Sequence, residues 1–393
     1  IPIVGSLNLL PSCGFATLSL KLMLKDLEAG WIPTHYRQVK AARSLKGKYD
    51  LIIAVGDIVV IGAAVLARTS FFFIGCAKSS YYSFLHGYTR LEKYLLRKHC
   101  ILTFPRDRLT LKELDRARVR NRYVGNPMMD DLQGTGTDFG LPQDRRIIGM
   151  LPGSRRDAEE NALFMLKAAA EVDQTPYDPP LLFLFAVTND FEIPFIKDRL
   201  TGGDRKNIKN GWEVEECAKD NASPGIVLKL VHERGGAAWF TRGCFADVLH
   251  RSSLVVGTAG TANEQAVGLA KPLITFPTAG VMGKQYVKMK MQFFGPSALE
   301  VAPEPGTIAK AITGLLNDKE RCEEMAAAGR ERMGLPGASE AIAREIMKKT
   351  GTQRRDGPKG LQEKFLPRFF QKAGRRRHHN EKKHYFSNSH QLS

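Results

Sequence analysis

Short runs of apolar, β-branched and aromatic residues alternate along this chain with stretches whose apolar positions recur every three or four residues. Strand-like runs lie at 51–55, 71–74, 101–104 and 123–124, and again at 147–151, 181–187, 226–230, 254–256 and 273–276. Between them, 156–172 carries Ala162, Met165, Leu166 and Ala169 at helical spacing, and 58–67 and 262–270 read as shorter helices. Such alternation predicts an α/β protein of parallel, doubly wound sheets covered by helices. The stretch 133–144 is rich in Gly, Thr, Asp and Pro and has no period, so it reads as a linker after which the alternation restarts. A second irregular stretch, 201–223, is polar and reads as an insertion loop, and three helical patterns after Gly306 run to about Lys349.

The pattern therefore predicts a first Rossmann-like domain over 1–132, a linker over 133–145 and a second domain over 146–335. A helix over 336–349 is expected to cross back to the first domain, and 350–393 to be a basic, disordered tail. The chain opens with Ile1-Pro2-Ile3-Val4, an apolar strand with no element before it, as expected of a chain that has lost its natural beginning.

Composition narrows the classes. With 43% hydrophobic and 25% charged residues the chain is globular, neither fibrous nor disordered as a whole. The net charge is +17, and from Lys348 to Ser393 there are 13 Lys or Arg against 3 Asp or Glu, so much of the excess sits in the tail. A basic arm is attracted to phosphate, and an anionic membrane surface is the partner it suggests; a solvated extension explains the same composition. No aromatic–basic module for nucleic acid accompanies it. The six cysteines are scattered with no Cys-x-x-Cys pair, which fits neither a zinc site nor a disulfide framework and suggests a reducing, cytoplasm-like compartment. The most apolar stretch, 51–76, is interrupted by Asp57 and Arg68 and does not read as a membrane span.

Two turns carry the candidate chemistry. Leu151-Pro152-Gly153-Ser154-Arg155 follows a buried run and precedes a strong helix. Glycine permits a sharp turn there, a helix start offers unpaired N–H groups to an anion, Ser154 can cap the helix or donate, and Arg155 can neutralise a diphosphate. Gly257-Thr258-Ala259-Gly260-Thr261 repeats the arrangement, with Glu264 three residues on, whose two oxygens suit the diol of a ribose. A capping box between Thr261 and Glu264 explains the same residues without a ligand. Neither a Gly-x-x-x-x-Gly-Lys loop nor a Gly-x-Gly-x-x-Gly fingerprint is present, so a sugar nucleotide is favoured over ATP or NAD, with no cofactor and no metal required.

At these residues the chain resembles the lipid-A-disaccharide synthase family and a related cyanobacterial branch, within the GT-B glycosyltransferases. The resemblance rests on Leu151 to Arg155, on Gly257 to Glu264 followed by Gly268-Leu269-Ala270-Lys271-Pro272, and on Val124-Gly125-Asn126-Pro127. The branch is also similar at Ala54-Val55-Gly56-Asp57, Ala77-Lys78-Ser79, Phe104-Pro105-Arg106-Asp107 and Pro336-Gly337-Ala338-Ser339. It implies a GT-B fold of two domains facing a cleft, a UDP-sugar donor, a lipid or glycolipid acceptor, inversion at the transferred carbon, and a place in the cytoplasm or at the inner membrane face (plastid stroma, in an alga). Asn126 stands where the family has a histidine. The Gly-rich turn with which the family begins is absent, so the first β-α-β of the first domain is expected to be missing.

An inverting transfer needs a general base, and Asp57, at the end of the 51–55 run, is the candidate; an N-cap for the following helix is its structural alternative. On the acceptor side, Lys78, Arg106 and Asn126 are candidates, with Asp107 as a partner or cap. On the donor side, Gly153, Ser154, Arg155, Gly257, Thr258, Ala259, Gly260, Thr261, Glu264 and Gln285 are expected. The isolated His86, His99 and His232 suit structural roles. A UDP-sugar epimerase of the same fold and a non-catalytic protein binding nucleotide sugar or anionic lipid are the alternatives.

Overall fold

The structure is a computed structural model that describes residues 10–11, 20–82, 87–137, 139–141, 145–201, 211–215, 225–279 and 283–351. The run at 1–4, His86 and the tail beyond 351 lie outside these residues. Residues Ile1–Ile342 form one compact unit and Ala343–Ser393 a second.

The first unit holds two sheets. Helices α1 (Leu20–Glu28) and α2 (Trp31–Ser44) lead into β1 (Ile52–Val55), α3 (Ile58–Leu66), β2 (Phe71–Gly75), α4 (Arg90–His99), β3 (Cys100–Pro105) and α5 (Arg108–Arg116). The strands pair in parallel in the order β1-β2-β3. A parallel sheet needs cover on both faces, and the central strand shows why: Phe71, Phe72 and Phe73 are all fully buried, Phe71 and Phe73 against Ile61, Leu96 and Leu114. At the edge, β1 is half open, with Ile53 and Val55 about half exposed.

The second sheet is larger. Its elements are β4 (Ile147–Leu151), α6 (Ala158–Ala170), β5 (Leu182–Val187), α7 (Ile193–Thr201), β6 (Trp212–Val214), β7 (Ile226–His232), β8 (Ala237–Arg242), α8 (Phe245–Arg251), β9 (Leu254–Gly257), α9 (Thr261–Gly268), β10 (Leu273–Thr275), α10 (Lys284–Phe294) and β11 (Ala298–Glu300). Helices α11 (Pro305–Asn317), α12 (Lys319–Met333) and α13 (Ala338–Lys349) follow. The strand order is β11-β10-β9-β4-β5-β8-β7-β6. From β4 the chain winds outward through α6 to β5, while β9 lies on the other side of β4. The order thus reverses between β4 and β9, and in open α/β sheets ligands bind outside the strand ends at that reversal.

Three differences from the sequence reading have local causes. The sheet is not wholly parallel, because β7 and β8 form a tight antiparallel pair and β6 adds antiparallel to β7. Strand β6 lies inside the stretch expected to be a loop; it is anchored by Trp212, whose buried indole donates to Leu166 O at 3.0 Å. Residues 123–124 join no ladder, the nearest pairing being a single bridge between Thr103 and Asn121. Asp130 meets the start of α13, its carboxylate accepting from Gly337 N at 2.6 Å and Ser339 N at 2.7 Å. Among the described residues no helix is long and apolar enough to cross a membrane.

Candidate functional site

Leu151 pairs with Gly257 across β4 and β9, so the two glycine-bearing turns leave neighbouring strands at one edge of the sheet. Buried bonds tie them together. Thr258 N donates to Leu151 O at 3.0 Å and its hydroxyl to Pro152 O at 3.0 Å, and Asn161 Nδ2 donates to the same Pro152 carbonyl at 3.0 Å. Gly153 has φ +102°, a conformation that side chains disfavour. At Gly257 the demand is close approach: a Cβ there would lie 2.1 Å from Asn263 Oδ1, while Asn263 Nδ2 and the Thr275 hydroxyl donate to the Gly257 carbonyl at 3.0 and 2.8 Å.

A cleft of about 1040 Å³ opens in front of these turns. Gly153, Ser154 and Arg155 line it from the first turn, and Ala259, Gly260 and Thr261 from the second. Gly257 and Thr258 do not; they hold the second turn from behind, Thr258 being buried. Ser154 does not cap α6, which begins only at Ala158 with Asp157 before it. The capping box of Thr261 and Glu264 does not form either. Gly260 is the N-cap of α9, so Thr261 is already its first helical residue and Glu264 its fourth. Gly260 supplies no side-chain cap, and Gly260, Thr261 and Ala262 at the start of α9 line the cleft.

Glu264 lines the cleft but is 2% exposed, and it is not a lone carboxylate. Its Oε2 accepts from Arg106 Nη2 at 2.5 Å and its Oε1 from Lys290 Nζ. Burial alone would raise its pKa; Arg106 and then Lys290 outweigh burial and bring it down to about 2. Lys290 is likewise held protonated against burial, mainly by Glu264, and donates to the Tyr82 hydroxyl at 3.0 Å. Burial pushes the phenols of Tyr82 and Tyr286 up, so both stay neutral.

This cluster adds to the picture of the first wall. Arg106, expected to face an acceptor, lines the cleft and is 2% exposed; it donates to Cys76 O at 2.8 Å, stacks on Phe293 at 4.4 Å and reaches Glu264, which lies 158 residues along the chain. Lys78 lines the cleft, with Nζ at 2.8 and 3.0 Å from the two oxygens of buried Glu92. Asp57 lines the cleft and caps α3, accepting from Val59 N at 3.0 Å. Asp107 caps α5. Asn126 is fully buried outside the cleft lining, where its carbonyl oxygen accepts from Met128 N at 3.1 Å and caps the turn Pro127–Met129. Gln285 is exposed and outside the lining; Tyr286, Met289 and Lys290 of the same helix line the cleft instead.

Sequence reasoning missed Tyr82, Tyr286 and Lys290, and also Trp31 and His35, which line the cleft from α2. For Lys290 a signal was present. Tyr286, Val287, Phe293 and Phe294 are the buried stripe of α10, and Lys290 interrupts that stripe at helical spacing. A lysine on the apolar face of a helix calls for a buried partner.

No family model matches the chain. A search of curated proteins finds the lipid-A-disaccharide synthase of Syntrophus aciditrophicus (strain SB), 25% identical over 250 residues that make up 58% of this chain and 57% of the relative. The chain thus matches little more than half the length of that relative. Among solved structures, the calicheamicin glycosyltransferase CalG4 superposes with a TM-score of 0.51 at 14% identity, covering 88% of this chain and 82% of its own. The UDP-GlcNAc 2-epimerase of Neisseria meningitidis, solved with UDP-GlcNAc, gives 0.50 at 14% identity over 80% and 81%. The chain has the Rossmann-like GT-B fold, and its resemblance to lipid-A-disaccharide synthase extends beyond the motifs.

Proposed function

We propose that this chain is a glycosyltransferase that moves a sugar from a UDP-sugar to a lipid-type acceptor with inversion. The observation that carries the reading is the convergence of two glycine-bearing turns, after adjacent strands β4 and β9, on one cleft that also holds a carboxylate. The turn amides, the uncapped start of α9 and Arg155 would hold the diphosphate and stabilise it as it leaves. Glu264 is the carboxylate for the ribose: two cations already bind it, but an ionised carboxylate offers about four acceptor sites, so it can take a diol as well.

Across the cleft, Asp57 is the group suited to accept the proton of the attacking acceptor hydroxyl. The oxygen so activated bonds to the anomeric carbon as the bond to the diphosphate breaks. An apolar surface beside this wall supports a lipid acceptor and contact with a membrane face: Met23, Leu24, Leu27, Ile32 and Tyr36 are exposed, and so is Trp31, which also lines the cleft.

Incubation with radiolabelled UDP-sugars and extracted lipid tests the reading. Label should move to the lipid fraction, and Asp57→Asn should slow transfer by roughly 10²- to 10⁴-fold, the usual contribution of a general base. UDP affinity should stay as it was. Isomerisation of the UDP-sugar with no acceptor present would replace transfer by epimerisation.

A further inference from the structure

Arg106, Glu264 and Lys290 place two cations on one buried carboxylate, and buried Asp107 is the next carboxylate acting on Arg106. The two cations differ in what they can still do. Arg106 also lines the cleft but is 2% exposed, with Nη1 on the Cys76 carbonyl and Nη2 on Glu264. Lys290 lines the cleft, and its ammonium has three donors, of which Glu264 and the Tyr82 hydroxyl take two. The rings of Tyr82 and Tyr286 lie 5.5 and 5.7 Å from Nζ and shield it from water on those sides. The Tyr286 phenol feels both Lys290 and Arg155, so the two cations serve one stretch of wall. A phosphate oxygen entering the cleft can take the remaining donor of this ammonium in a charge-assisted hydrogen bond.

We infer that Lys290 is a phosphate contact of the bound nucleotide, acting beside Arg155, and that it makes this cleft select nucleoside diphosphates over the nucleoside. The inference rests on the nucleotide-sugar reading above. The competing role, in which Lys290 only orients Glu264 toward the ribose, makes a different prediction, because uridine keeps the ribose and lacks the phosphates.

Calorimetric titration of the full chain with UDP and with uridine, on wild type and Lys290→Met, separates the two. The expected result is a loss of about 10- to 100-fold in UDP affinity with uridine affinity changed by less than about twofold, as for a charged hydrogen bond to phosphate. Equal losses for both ligands, or an unchanged UDP affinity, would overturn the inference while leaving nucleotide binding intact. Failure of the wild type to bind UDP at all would remove the nucleotide-sugar reading and this inference with it. Should Lys290→Met not fold, which its melting curve would show, Lys290→Gln keeps a donor without the charge and serves the same comparison.

Discussion

The two walls of the cleft are built from the same unit, a parallel strand that ends in a turn and a helix, but they hold their cleft-facing groups by different means. Behind the second wall, β4 is buried at every residue and flanked by β9 and β5; Thr258 ties its turn to the next, Asn161 braces the first turn, and Asn263 and Thr275 brace the second. Beside the side chains of Arg155, Glu264 and Lys290, this wall offers a ligand the main chain of two turns at fixed positions. The first wall rests on β1, an edge strand with Ile53 and Val55 half exposed, and it offers side chains. Each of these side chains is also engaged locally, for Asp57 caps α3, Lys78 pairs with Glu92, and Arg106 holds Glu264. A site built on main chain tolerates side-chain change as long as its scaffold stands. A site built on side chains ties every substitution to both fold and function. Glu264 is where the two arrangements meet.

The sharpest way to break this contrast is therefore Glu264→Ala. It strands Arg106 and Lys290 in a dry site, and removing one partner of a buried ion pair typically costs about 3–5 kcal/mol. Urea unfolding should show a loss of that size, whereas Asp57→Asn should change stability by less than about 0.5 kcal/mol, since asparagine caps helices as well as aspartate does. If Glu264→Ala left stability unchanged, the cluster would not be joining the walls.

Acid should dissect the same joint more gently. The Glu264 carboxyl is brought from 4.5 to about 2 in the folded state. A depressed folded value means that the stabilisation is complete above the unfolded value of 4.5 and is lost as pH falls toward about 2. The loss over that window is on the order of 3 kcal/mol. Unfolding free energies measured across it should fall steeply in the wild type and less steeply in Glu264→Gln; parallel curves would assign the acid limb to other carboxylates.

Gly257→Ala tests the scaffold of the second wall without touching a charge. The added methyl meets Asn263 Oδ1 and must displace the amide that bonds the Gly257 carbonyl. Overpacking of this kind costs about 1–3 kcal/mol. UDP affinity should fall with it, because the turn that it shifts is the one facing the ligand.

The contrast between the walls also explains what the sequence disclosed. Strands β4, β5 and β9 and the turns after them were legible because a buried parallel strand must be a continuous apolar run, and a turn that brings backbone close must carry glycine. Asp57 was legible as a strand-end carboxylate, although composition could not divide its capping from its chemistry. Strand β8 was missed although all but the last of its six residues are buried: Ala237 and Ala238 give it a weak β signal, and the hairpin with β7 reads as continuous polar-edged sequence. That Arg106 and Lys290 both meet Glu264 was not legible, although each residue carried a signal of its own. Arg106 and Glu264 are 158 positions apart, and only the folded chain brings the turn after β3 to α9, where they meet at 2.5 Å.

Gln285 gives the smallest effect and the finest test of which face of α10 meets the ligand. The motif placed it at the donor, but helical geometry sets adjacent residues about 100° apart, so Gln285 and Tyr286 cannot both look inward. Tyr286 is buried and lines the cleft with Met289 and Lys290, at the spacing of one helical face, while Gln285 is exposed. Gln285→Ala should change stability by less than about 0.5 kcal/mol, as exposed substitutions do, and shift UDP affinity by less than about twofold. Tyr286→Ala should lower both. A Gln285→Ala variant that binds UDP tenfold more weakly would mean that α10 rotates or shifts when the nucleotide enters, and the division of labour between the two walls would then belong to the ligand-free cleft alone.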